Sequence, residues 1–170
     1  MAPRTLGLLV FAALAAGCGV KDPSQISLKI APASITVVNP SGERHVLAMA
    51  SSGEVTLDGN RVFSIRGDGR IRVYPKLGFQ LTKDDTILQS GQKTNAAIRG
   101  DGTFVLDGAD QLHYDSKGGI IGALLSDSDH ELVKAHATVT YDGPPEAHRA
   151  MMFAFAVLLT HGPQMPPPPS

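Results

Sequence analysis

A repeat of about 16 residues runs through the middle of the chain. Units beginning at Gly53, Gly69, Asp85, Gly102 and Gly119 follow one another in steps of 16 or 17 residues. The first three end in Asp. Two carry Leu-Asp-Gly at the same offset, at 57–59 and 106–108, and two end in Ile-Arg-Gly-Asp followed by Gly, at 65–69 and 98–102. A unit this short is one supersecondary element that cannot bury its apolar face alone, so its neighbours must stack against it.

Each unit holds alternating runs. Val55 and Leu57 are followed by Phe63 and Ile65; Ile71 and Val73 by Phe79 and Leu81; Phe104 and Leu106 by Leu112 and Tyr114. Period two puts these side chains on one face of a sheet. Thr56, Ser64, Arg70, Arg72, Gln80, Thr103 and His113 then point the other way and are mostly polar. Asp58-Gly59, Pro75-Lys76, Ser90-Gly91 and Asp107-Gly108 supply turns within units, and Gly67-Asp68-Gly69 and Gly100-Asp101-Gly102 supply turns between them. Upstream, Ile26 to Ile30, Ile35 to Val38 and His45 to Met49 read as strands. Downstream, Leu132 to Tyr141 reads as one more, or two. The expectation is a mainly β fold, an antiparallel meander of about a dozen short strands, as an open curved sheet or a barrel.

One apolar sheet face needs a cover, and the sequence offers one. Pro144-Pro145-Glu146 can open a helix, and Gly162-Pro163 can end it. The uncharged run from Ala150 to Thr160 between them is apolar nearly all round, so it should be buried. The expected helix, 144–162, packs on or into the sheet. Phe153, Phe155, Val157 and Leu158 are its expected contacts. Residues 163–170, with four consecutive prolines, form a Pro-rich tail.

The N-terminus reads as an address. Arg4 precedes an uncharged run from Leu6 to Ala16, too short for a spanning helix but suited to the core of a secretory signal. The small residues Ala15, Ala16 and Gly17 lead into Cys18, the chain's one cysteine. The stretch LAAGC at 14–18 resembles the lipobox of bacterial lipoproteins. That resemblance implies cleavage of residues 1–17, acylation of Cys18 and a tether over 18–25 that leads into the β domain at 26–142. Gly19 and Val20 follow the cysteine. In that family an Asp at the second mature position retains the protein in the inner membrane, so its absence here points to the outer membrane in a two-membrane cell.

Catalytic and metal motifs are not found. Among His45, His113, His130, His136, His148 and His161 no pair is spaced i, i+4, and no HExxH, G-x-S-x-G elbow, P-loop or dinucleotide fingerprint occurs. Ser126-Asp127-Ser128-Asp129-His130 reads as a solvated loop. Arg66-Gly67-Asp68 and Arg99-Gly100-Asp101 resemble the integrin-binding triplet of adhesion proteins, but both fall where the repeat needs a tight turn. A formal charge of -1, 5% aromatics and no Trp disfavour nucleic acid as a partner. The expectation is a membrane-anchored, non-enzymatic binding or structural protein of the cell envelope, without cofactor. Its partner would be the membrane and an envelope protein or apolar ligand. Two alternatives are a carrier of a small apolar ligand in a barrel, and a bridging component of lipopolysaccharide or lipid transport. For the second, Leu57-Asp-Gly-Asn-Arg-Val-Phe and Gly-Asp-Gly-Arg-Ile resemble the β-strand repeats of lipopolysaccharide-transport proteins.

Overall fold

The computed structural model describes residues 26–73 and 77–162. Twelve strands form a single antiparallel meander: β1 (Ala33–Val38), β2 (Arg44–Met49), β3 (Glu54–Leu57), β4 (Asn60–Ile65), β5 (Arg70–Val73), β6 (Leu77–Leu81), β7 (Thr86–Gln89), β8 (Gln92–Ile98), β9 (Phe104–Leu106), β10 (Ala109–Tyr114), β11 (Gly119–Ile121) and β12 (Thr138–Asp142). Each pairs with its neighbour in sequence, and β1 pairs with β12, from Ser34 opposite Asp142 to Val38 opposite Thr138. The sheet is therefore a closed barrel. Two helices accompany it: α1 (Ala123–Ser126), a single turn between β11 and β12, and α2 (His148–His161), entered through a 3-10 turn at Pro145–Ala147.

The repeat is built from two kinds of turn, one at each end of the barrel. At the end where β3, β7 and β9 finish, here the top, two-residue loops carry both residues at positive φ: Asp58 and Gly59, Ser90 and Gly91, Asp107 and Gly108. This is the mark of a type I′ hairpin. The Asp of Leu-Asp-Gly has a further use. Asp58 accepts hydrogen bonds from Val46 N–H at 2.7 Å and from His45 Nδ1 at 2.8 Å on β2, and Asp107 accepts one from the Asn95 side chain on β8.

At the other end, the base, each turn closes with two bonds, as in Arg66 N–H to Arg70 C=O and Gly69 N–H to Arg66 C=O, both 2.9 Å. The same pair recurs at 50–54, 82–86, 99–103 and 115–119. Both Arg-Gly-Asp triplets lie in such turns, and Asp68 and Asp101 accept the N–H two residues on, from Arg70 and Thr103. The fifth equivalent position is held by Gly118 rather than Gly119.

Alternation directs Val55, Phe63, Ile65, Ile71, Phe79, Leu81, Phe104 and Leu112 into the barrel, where all are buried. Val62 breaks the parity. A register shift between β3 and β4 inserts it as a bulge, and it is buried as well. Similar shifts occur between β7 and β8 and between β9 and β10. Bulges increase local twist and bend, which helps a meander close.

Helix α2 runs up the middle. Every residue from Ala150 to Leu159 is buried, with no polar face among them. Geometry explains the fit. Twelve strands spaced ~4.8 Å apart and tilted ~40° give a backbone radius of about 12 Å. A helix with its side chains has a radius of ~5–6 Å. About 6 Å remains for the inward side chains of the wall, so a twelve-strand barrel holds one helix where an eight-strand barrel is filled by its own side chains. At the top, Gly162 ends the helix at φ 68°, its N–H bonded to Leu158 C=O at 2.8 Å.

Three sequence expectations are corrected. Residues 26–30 are not a strand. Ile26, Leu28 and Ile30 do alternate with the more exposed Ser27 and Lys29, but β1 already has a partner on each side, so no edge is left for another strand. The segment crosses the base instead, with Leu28 N–H bonded to Gly67 C=O at 2.7 Å. Of residues 132–141 only Thr138 onward is strand. After β11 the chain leaves the wall as α1 rather than completing a fifth unit. Thr103, assigned to the polar face, is buried in its turn. The expected turn at Pro75-Lys76, the Pro-rich tail, the leader and Cys18 lie outside the described residues.

Candidate functional site

The helix occupies the axis, so the places where chemistry or recognition can occur are the two ends and the outer wall. At the base, polar side chains gather around the start of α2. Arg149 is the only Lys or Arg of α2, and it sits in the first turn, where the helix dipole disfavours a cation. Its Nη2 reaches the Asp85 carboxylate and the Ile98 carbonyl, the latter at 3.1 Å. Asp85 is the repeat's exception. It stands at the positive-φ position that Gly53, Gly69, Gly102 and Gly118 fill in the other base turns, with φ 67°. An Asp there accepts backbone strain and returns a carboxylate aimed at the helix.

Beside this pair, Tyr114 stacks on His148 with ring centroids 4.0 Å apart, and Tyr141 packs edge-on against both. Tyr114 donates to His148 C=O at 2.9 Å, and Tyr141 to Pro144 C=O at 2.7 Å. Burial raises the pKa of Tyr114 far above the ordinary phenol value. Tyr141 is pushed up to about 12 by burial, with the charges of Glu146 and Asp142 adding to it. Burial holds His148 below the usual imidazole value. Two phenols kept protonated and spent on main-chain carbonyls fix where the helix enters.

Among the grooves in the wall of the described residues, two lie on opposite sides. One of about 520 Å³ lies over β11 and β12, lined by Asp115, Lys117, Ile121, Ser126, His136 and Thr140 among others. Ile121 on its edge is the exposed large hydrophobic of the described residues, at 47%. The other, about 210 Å³, lies on the opposite side over β5 and β6 and is lined by Arg66, Arg70, Arg72, Gly78, Gln80 and Ser90 among others. A third space of about 120 Å³ opens at the top beside the end of α2, between Phe79, Ile87, Phe104, Leu106 and Val157, under His161.

Among the described residues no three His, Cys, Asp or Glu side chains gather as a metal site. The histidines are scattered: His45 on the wall beside Asp58, His113 exposed on β10, His130 and His136 in the loop before β12, and His148 and His161 at opposite ends of α2. In the loop at 126–130, Ser128 is buried and its Oγ accepts His130 N–H at 3.2 Å. No helix of the described residues is long and apolar enough to cross a membrane. No known protein family, curated protein or solved structure matches this chain.

Sequence reasoning missed the Arg149–Asp85 pair. A signal for it was present: Asp85 is the one unit start that is not glycine.

Proposed function

We propose that the protein is a lipid-anchored, non-enzymatic component of a bacterial cell envelope, held at the outer membrane in a two-membrane cell, whose barrel binds a partner or serves as structure. The observation that carries this reading is the uncharged run from Leu6 to Ala16 leading through Ala-Ala-Gly into the single Cys18. Two or three acyl chains at one residue give stable anchoring where a single chain would not. A lone thiol in an oxidising compartment is a liability that acylation removes.

The barrel supports a binding or structural role on its exterior. A carrier of a small apolar ligand would need the axis that α2 fills. A bridging protein that extends a sheet would need a free strand edge, and pairing of β1 with β12 uses up that edge. On this reading a partner is met on the wall or at an end.

Labelling cells with a fatty-acid analogue tests the anchor. The wild-type chain should carry the label and fractionate with membranes. Cys18→Ser should be unlabelled and accumulate as a precursor that retains residues 1–17. Label on the Cys18→Ser chain would overturn the reading.

A further inference from the structure

We propose that the arginine-lined groove on β5 and β6 is the membrane-facing surface of this barrel and binds the phosphate headgroups of anionic lipids. The inference rests on the Cys18 anchor and adds to it an orientation and a ligand class.

Three observations converge on this wall. The first is charge. Arg70 and Arg72 project outward from β5 and Arg66 opens the turn before it; all three are exposed. Arg66 and Arg72 have no carboxylate within 4.0 Å among the described residues, and Arg70 has only a loose contact with Asp68, at 3.8 Å. Other arginines of the barrel behave differently. Arg99, which matches Arg66 in the second Arg-Gly-Asp turn, is held by both oxygens of Asp110, at 2.8 and 2.9 Å. Arg61 on β4 is engaged by Glu54 at 3.4 Å. The chain as a whole has a formal charge of -1, so the excess of cations on this wall is local. Guanidinium groups suit phosphate, which they can grip with paired N–H donors.

The second is space. Arg72 faces Gly78 across the ladder and Arg70 faces Gln80. A Cβ added at Gly78 would meet only Ile71 C=O, at 3.9 Å, so the groove floor is open where a larger residue would fill it. At about 210 Å³ the groove has room for a phosphate group and its water.

The third is placement. The first described residues lie against the turn that bears these arginines. Ile26 occupies the position a Cβ on Gly69 would need, and Leu28 bonds to Gly67. Eight residue steps join Ile26 to Cys18, a reach of about 29 Å at full extension. An acylated Cys18 therefore holds the 66–70 turn within about 29 Å of the lipid surface. The groove over β11 and β12 is on the far wall.

Amide hydrogen exchange on the full protein extracted from its membrane and placed in bilayer discs tests this. In discs with a third of the phosphatidylcholine replaced by phosphatidylglycerol, exchange across 66–72 should slow relative to pure phosphatidylcholine discs. The slowing should be about fivefold for each arginine engaged, and molar salt should abolish it. Residues 119–121 and 138–140 should exchange equally in both. The triple variant Arg66→Gln, Arg70→Gln, Arg72→Gln should lose the effect and keep its melting temperature. Gly78→Val, which fills the floor and keeps every charge, should weaken it. Equal exchange in the two disc types, or protection on β11 and β12 instead, would overturn the proposal. Protection by inorganic phosphate in pure phosphatidylcholine discs, with none from phosphatidylglycerol, would assign the groove to a soluble anion and overturn it too. The mass of the same preparation reports the anchor separately. An acylated chain without lipid-dependent protection defeats the groove alone; protection on an unacylated chain defeats the anchor and its argument from placement.

Discussion

The two ends of the barrel use glycine for different reasons. At the top, Gly59 stands at φ 81° in a two-residue turn, and a Cβ there would meet nothing within 4 Å. Glycine is present at this position for its backbone freedom. At the base, Gly69 stands at φ 80°, but a Cβ would lie 2.5 Å from Leu81 C=O and would displace Ile26. There glycine supplies both freedom and room. The base is where the chain enters, where residues 26–30 cross beneath the turns, and where α2 begins under Tyr114 and Tyr141. At the top, space is open around the glycines at 59, 91 and 108, while Asp58 and Asp107 tie their turns to the neighbouring strands β2 and β8. A repeat that looks uniform along the sequence thus serves one packed end and one exposed end.

Removing residues 146–170 should have the largest effect on this arrangement. Both ends depend on α2, and burial of Phe153, Phe155, Val157 and Leu158 contributes roughly 1.5–3 kcal/mol each before entropy is counted. That is comparable with the whole stability of a small domain, about 5–15 kcal/mol. Calorimetry should find no cooperative transition, and gel filtration an expanded or aggregating species. A monomer with an unchanged midpoint would mean the wall stands without its filling.

Gly69→Ala and Gly59→Ala measure the contrast directly. The first combines positive-φ strain with a backbone clash and should cost about 2–4 kcal/mol in urea unfolding. The second has only the strain and should cost about 1 kcal/mol. Equal losses would mean that crowding at the base contributes nothing.

Asp85 sharpens the point, because it is a base turn without glycine. Arg149→Met should cost about 1 kcal/mol, since the pair is partly exposed. In an Asp85→Gly background the same change should cost less, the difference being the coupling between wall and helix. Additive losses would show that the ion pair does not hold the helix in register.

The smallest effect concerns pH. Burial lowers the pKa of His148 at the base and of His161 at the top, where a bond with Val157 partly opposes it. The folded state therefore binds these protons less readily than the unfolded chain, whose imidazoles titrate near 6.5. Stability is fully present above that value and declines as pH falls below it. Asp101 is lowered chiefly by the Thr103 N–H and contributes only further down, below the ordinary carboxylate pKa near 3.8. Melting temperature should drop between pH 7.5 and pH 5, by about 2–4 °C for each kcal/mol lost in a domain of this size. His148→Phe should flatten part of that slope while keeping the ring stack. An unchanged slope would place the titration elsewhere.

Local pattern carried much of this fold. Asp58-Gly59, Ser90-Gly91 and Asp107-Gly108 are turns wherever they occur between alternating runs, because few other residues accept positive φ at two successive positions. Inward and outward faces followed from period two, and the helix bounds from Pro145, Glu146 and Gly162. The candidate surfaces were less legible. Arg70 and Arg72 read as outward-facing residues and Arg66 as part of a turn, but how far they are paired depends on which carboxylates the neighbouring strands bring near: Asp110 reaches Arg99, while among the described residues no carboxylate reaches Arg66. Closure was not legible either. It joins Ser34 to Asp142, and a strand's own alternation says nothing about a partner so distant in sequence. The alternation of Ile26, Leu28 and Ile30 was real, yet those residues cap the base, since a closed barrel has no edge to receive them. Residue identity determined which segments are strand, turn or helix, because those preferences act over a few neighbours. Tertiary structure alone decided that twist and bulges, accumulated over twelve strands, bring the last strand to the first and leave an axis as wide as one helix.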